Sequence, residues 1–226
     1  MHSDAPALLY NVSVWALPVL LAITLHEAAH AYMAWRCGDD TGYVLGRVSL
    51  DPMRHIDPFG TIVLPGLLIL AHAPFLFGYA RPVPVDTRRL MKPGRDMMLV
   101  AAAGPAANVA LAVAAFLLLK LVSEIDDTGW FVANLSRMVV LNIALAVFNL
   151  LPIPPLDGSH IAIGLLPPPL SRAVESMRPH GMAILIGLVV VLPVIGHKLG
   201  IDLHIVGRLL DHAIDTALAG LNWLFG

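Results

Sequence analysis

Long apolar runs constrain this chain more than any other feature. They recur at about Leu8–Arg36, Met97–Val122, Trp130–Leu151, Gly181–Ile195 and Leu203–Phe225, with a further broken run at Phe59–Phe77. A helix needs roughly 20 apolar residues to cross a bilayer. Only helices and closed barrels satisfy their backbone polar groups in lipid. Charged residues make up 13% of the chain and hydrophobic ones 58%, against roughly 25% charged in a soluble domain. The expectation is an all-α integral membrane protein: a polytopic helical bundle of four to six membrane segments, multi-pass in the cell membrane, folded as one domain over residues 1–226. The first run has no basic leader and no clear cleavage site, so it reads as a retained membrane helix.

Several classes drop out early. A net charge of -2 argues against a nucleic-acid partner. Cys37 is the only cysteine, which excludes a disulfide framework, a Cys-rich metal site and a redox pair. Two segments look extended. Tyr43–Leu50 alternates and is partly β-branched, which predicts a strand, and Gly78–Val85 carries two prolines that disfavour helix in the residues before them. Together they predict a short membrane-associated β element. Pro65, Gly66 and Pro74 make Phe59–Phe77 a candidate re-entrant loop, with basic residues on both flanks. Placing the C-terminal end of the first helix in the cytoplasm puts Arg36, Arg47, Arg54, Arg81, Arg88, Arg89, Lys92, Arg95, Arg172 and Arg178 there too, in accord with the positive-inside rule.

Chemistry concentrates near the end of the first run. His26-Glu27-Ala28-Ala29-His30 fits H-E-x-x-H. Residues i and i+4 share a helix face, so both imidazoles can reach one metal ion, with Glu27 beside them to take a proton from an acidified water. The chain holds ten His and only three Glu, so chance produces this pattern rarely. Ionisable residues inside a membrane helix are costly and point to function. A catalytic zinc site usually takes three protein ligands. Candidates for the third are Asp51, His55, Asp57, His72, Asp157 and His160. Asp157 stands out as a carboxylate in an apolar, proline-rich stretch, where lack of a partner would be expensive; the plainer role is a helix N-cap.

Asn149-Leu-Leu-Pro-Ile-Pro-Pro-Leu-Asp157-Gly158 resembles the N-x-x-P-x-P-x-L-D-G signature of the site-2 protease family of intramembrane metalloproteases. Gly104-Pro105-Ala-Ala-Asn108 resembles that family's G-P-x-x-N element, and Gly78–Val85 is similar to a segment of its small bacterial members. The likeness runs from the first helix to about residue 166, giving a core of about 8–166 followed by C-terminal membrane segments at about 181–226. It implies one zinc ion per chain on His26, His30 and Asp157, with Glu27 as general base. Asn149 and Asn108 match polar positions near the family's site, as oxyanion donors or as amides that tie helices together. The implied partners are the lipid bilayer and transmembrane protein substrates, cut within or near their membrane segments by a site toward the cytoplasm. A substrate would have to offer extended backbone, and the two extended segments could accept it by strand addition. PDZ and CBS domains, carried by larger relatives, are not expected.

The competing readings are a membrane metal transporter, which calls for several sites along a path, and a metal-binding scaffold without proteolytic activity, in which Glu27 has no purpose. Substrate identity and oligomeric state are not legible.

Overall fold

The computed structural model describes residues 5–63, 66–67, 80–123 and 129–225, without the side chains of 5–8 and 62. The helices are α1 (Ala5–Arg36), α2 (Thr41–Val44), α3 (Pro93–Ser123), α4 (Trp130–Asn149), α5 (Asp157–Leu165), α6 (Pro168–Ser176), α7 (Gly181–Ile186), α8 (Leu192–Leu199) and α9 (Ile205–Phe225). A wide helical turn at Gly187–Val191 links α7 to α8. Four stretches are long and apolar enough to cross a membrane: Leu9–Arg36, Pro93–Ser123, Trp130–Asn149 and Pro168–Leu199.

In lipid, helices associate through close packing rather than a hydrophobic drive, so small residues belong at their contacts. The buried residues follow that rule: Ala22, Ala31 and Ala34 on α1, and Ala101, Gly104, Ala112 and Ala115 on α3. α3 lies between α1 and α4 and also packs on α5. The apolar core joins Ala112, Ala115 and Phe116 of α3 to Met138, Val139 and Ile143 of α4. α9 covers it with Ile214, Ala217, Leu218 and Leu221, spaced to share one helix face. Its other residues include Arg208, Asp211, His212 and Asp215.

One end of the bundle gathers the chain turns. The Met91 N–H donates to Cys37 O at 3.0 Å, and the Asp86 N–H to Asp39 Oδ2 at 2.8 Å. These bonds set the end of α1 beside the start of α3. The end of α4 and all of α5 lie at this same end. Past Asn149 the chain doubles back: Leu156 N–H bonds to Ile153 O at 2.9 Å, and Pro154–Pro155 is cis. A Cβ on Gly158 would overlap the carbonyls of Leu150 and Leu151, so only glycine lets α5 start this close to α4.

The β element is not found. Among the described residues there is no strand. Within Tyr43–Leu50 the chain leaves the single turn of α2, swings through Gly46 at φ 69° and closes with the Arg47 N–H on Gly42 O at 2.8 Å. A glycine in the left-handed region breaks the alternation on which the strand reading rested. Residues 80–85 form neither helix nor ladder, and their amides bond elsewhere: Arg81 N–H to His55 O at 2.9 Å, and Val83 N–H to Glu27 Oε2 at 3.1 Å. The re-entrant segment begins with a wide helical turn at Pro58–Val63; most of its remainder lies outside the described residues.

Candidate active site

H-E-x-x-H occupies the last third of α1, and helical spacing brings its two imidazoles edge to face with centroids 4.6 Å apart. Each ring is tied at Nδ1. His30 Nδ1 lies 2.7 Å from Val100 O, and His26 Nδ1 lies 2.6 Å from Asn108 Oδ1. With an oxygen acceptor at Nδ1, a neutral imidazole carries its proton there and turns the Nε2 lone pair toward its neighbours. Those two Nε2 atoms face each other at 3.0 Å. The turn after α4 delivers Asp157 as the first residue of α5, without a side-chain cap on that helix. Its Oδ2 sits 3.2 Å from His26 Nε2 and 3.4 Å from His30 Nε2.

Three potential ligand atoms therefore converge, and Asp157 Oδ2 is buried without a hydrogen-bond partner. A buried carboxylate oxygen beside two imidazole nitrogens is costly unless a proton or a metal ion joins them. Zinc takes nitrogen and carboxylate ligands at roughly 2.0–2.2 Å in a tetrahedron, which separates donors by about 3.3–3.5 Å. The observed 3.0, 3.2 and 3.4 Å fit such an ion. Among the described residues, His26, His30 and Asp157 are the cluster of His, Cys, Asp and Glu side chains close enough to share a metal.

α3 makes the room. A Cβ on Gly104 would overlap His30 Nε2 and stand 2.6 Å from Cε1 of both imidazoles. Glu27 sits beside the cluster, with Oε2 accepting from the Val83 N–H. A cleft of about 250 Å3 opens on this side, lined by His26, Glu27, Ala80, Phe148, Asn149 and Met182 among others.

Residues 123–194 match the model of Peptidase family M50. A curated relative from Bacillus subtilis, named "Putative zinc metalloprotease YwhC", is 38% identical over 180 residues, covering 77% of this chain and 78% of the relative. The chain belongs to peptidase family M50. This is the site-2 protease family of intramembrane metalloproteases, and the chain is a multi-pass membrane member of it. Proteins named "Putative zinc metalloprotease Rip2" are also similar. The one from Mycolicibacterium smegmatis is 34% identical, with 76% of this chain and 64% of the relative covered. The one from Mycobacterium tuberculosis is 35% identical, covering 75% and 63%. No solved structure matches the chain.

The two asparagines of the M50 peptidase differ in placement. Asn149 lines the cleft and spends one amide hydrogen on Leu145 O at 3.0 Å. Asn108 is fully buried behind His26, and its amide nitrogen faces Asn142 Oδ1 at 2.7 Å and Ala22 O at 3.4 Å. It has no hydrogen left for a substrate. None of the other described third-ligand candidates joins this cluster. Asp51 accepts from the Met53 N–H, and Asp57 accepts from the N–H groups of Phe59 and Gly60. His55 is fully buried with Nε2 on Ser49 O, and His72 lies outside the described residues. His160 lies 3.5 Å from Arg178; burial, then the Arg178 charge, lowers its pKa and favours the neutral ring.

Two residues of the peptidase were missed in the sequence. Asn142 is fully buried, and an amide in an apolar span was the signal. Arg47 is 5% exposed and donates to Arg81 O, which holds the segment carrying Val83 against Glu27. Its place in a turn-rich stretch concealed it.

Proposed function

We propose that His26, His30 and Asp157 hold one zinc ion per chain, and that Glu27 is the general base of an intramembrane zinc metalloprotease. The convergence of two Nε2 lone pairs and a buried carboxylate oxygen carries this reading. Zinc, when bound, supplies a Lewis acid that acidifies water and polarises a scissile carbonyl. The residues of the chain do the rest. Val100 and Asn108 hold the two imidazoles in the ligating tautomer. Glu27, steadied by the Val83 N–H, takes a proton from the attacking water and passes it to the leaving amine. Asn149 keeps one amide hydrogen for the oxygen that gains charge. The apolar cleft excludes bulk water and receives backbone of a transmembrane protein substrate.

The site faces the cytoplasm in this reading. Arg36, Arg47, Arg54, Arg81, Arg88, Arg89, Lys92 and Arg95 all lie between the last turn of α1 and the first turn of α3, at the end where the site sits, in accord with the positive-inside rule. The chain acts as a single domain.

The test starts with elemental analysis of detergent-purified protein. Wild type is expected to carry about one zinc per chain, with His26→Ala and Asp157→Ala losing it. Glu27→Gln is expected to keep zinc while cleavage of reconstituted membrane proteins falls by about 100- to 10,000-fold. Zinc indifferent to Asp157 sinks the ligand set. Cleavage surviving Glu27→Gln sinks the general base.

A further inference from the structure

We propose that Asn142 of α4 is a positioning residue that decides which nitrogen of His26 carries the proton, and thereby whether His26 can bind metal. The inference rests on the zinc reading above and adds a residue to it.

The argument follows the direction of each hydrogen bond. His30 has a simple arrangement, because its Nδ1 faces the main-chain carbonyl of Val100 at 2.7 Å. A carbonyl oxygen only accepts, so His30 must be protonated at Nδ1. His26 faces a side-chain amide instead, Asn108, at 2.6 Å. An amide has two ends. Turned one way, its oxygen accepts from Nδ1–H and leaves a lone pair on Nε2. Turned the other way, its NH2 donates to Nδ1 and drives the proton to Nε2, which points at Asp157 and His30. A proton there blocks ligation. Something must hold Asn108 in the first sense.

That something is a pair of acceptors behind it. Asn108 Nδ2 faces Ala22 O at a long 3.4 Å and Asn142 Oδ1 at 2.7 Å, so Asn142 makes the stronger contact. Asn142 is itself an amide, and its own sense is fixed by the Met138 carbonyl, which accepts from Asn142 Nδ2 at 2.8 Å. The relay therefore begins at a main-chain carbonyl of α4 and runs through Asn142 and Asn108 to His26. Both amides are fully buried, so water cannot substitute for either partner. Turning Asn108 over would set its oxygen against two other oxygens. A buried unmade hydrogen bond costs about 1–3 kcal/mol, so one sense dominates. The geometry also explains why α4, which supplies no ligand, carries a buried amide in its middle.

The experiment measures zinc affinity of the full chain in detergent, by competition with a chromogenic chelator, on the folded fraction. Asn142→Leu removes the acceptor and is expected to weaken zinc binding by about 10- to 100-fold, the range for partners that orient a ligand. Asn142→Asp is expected to restore affinity close to wild type. Its buried carboxyl, once neutral, gives a proton to Met138 O and accepts from Asn108. Asn108→Leu is expected to weaken binding as well, and adding Asn142→Leu to it to cost nothing more, because Asn142 acts only through Asn108. An amide that merely ties α3 to α4 predicts a different pattern: lower thermal stability with unchanged zinc affinity. That pattern, or losses that multiply in the double variant, overturns the proposal.

If Asn142→Leu does not fold, 15N NMR of histidine side chains in the metal-free wild type distinguishes the two tautomers directly, with His26→Gln for assignment. Protonation of His26 at Nδ1 supports the relay; protonation at Nε2 overturns it. A wild type that binds no zinc removes the metal site and this inference with it. Tight zinc in both wild type and Asn142→Leu removes the relay alone.

Discussion

Replacing Gly104 by alanine adds one methyl group where α3 passes the imidazoles. Its Cβ would stand 2.6 Å from Cε1 of both His26 and His30 and would overlap His30 Nε2. Ordinary carbon contacts lie at about 3.5–4.0 Å, so the rings or the α3 backbone must give by about 1 Å. The rings have little freedom, because their Nδ1 atoms are held at 2.6 and 2.7 Å. Two effects on stability oppose each other. Alanine in a helix interior is favoured over glycine by about 1 kcal/mol, while forcing a methyl into a packed site costs about 1–3 kcal/mol. The net change is about 0–2 kcal/mol, too small to decide anything. Metal affinity decides, because a misdirected ligand typically costs about 10- to 100-fold. The assay is zinc competition against a chelator, with Gly220→Ala as control, since a Cβ there meets nothing within 4 Å. The control is expected to leave zinc affinity unchanged. If Gly104→Ala also binds zinc like wild type and gains stability from helix propensity, the close approach of α3 to the ligands is not required and the reasoning fails.

Three further outcomes are expected. Removing zinc with a chelator should lower the thermal midpoint, because an ion at a hundredfold excess over its Kd adds about 2.7 kcal/mol of stability; an unchanged midpoint in protein shown to contain zinc would contradict a site built from α1 and α5. Asn149→Leu should lower the cleavage rate by about 100- to 1,000-fold with zinc retained, the range for one lost oxyanion donor; unchanged kcat would leave Asn149 a purely structural amide. Arg47→Met frees the Arg81 carbonyl, and a hydrogen bond to a charged group contributes about 1.5–3 kcal/mol. Amide exchange at Val83 should therefore quicken by roughly tenfold or more, measured by mass spectrometry or NMR. Unaltered exchange would show that Arg47 does not hold that segment on Glu27.

Properties set by local rules were legible in the chain. Apolar runs near the thickness of a bilayer gave the membrane helices, because lipid leaves the backbone few other forms. The spacing of His26 and His30 placed both on one face of α1, because helical geometry is local. The proline-rich turn marked Asp157 as an unusual carboxylate, and motif order paired it with α1. Tyr43–Leu50 shows the reverse case. Its alternation satisfied a strand pattern, yet Gly46 at positive φ and the turn of α2 bent the chain away from any partner. A strand needs a neighbour, and alternation does not supply one.

The packing of α3 against α1 and α4 decided the rest. The distance between Asp157 and the imidazoles depends on how α5 meets α1, segments separated by more than a hundred residues. The sequence marks Asn108 as polar, but the directions of its oxygen and nitrogen depend on Ala22 of α1 and Asn142 of α4. Arg47 acquires its purpose only because residues 80–85 cross over Glu27. Residue types and helical periods are carried along the chain, so the sequence alone determines which groups are present and which faces they share. Hydrogen-bond partners and donor spacing arise between helices, so only the tertiary structure decides which groups meet and which of them stand close enough to share the proposed metal.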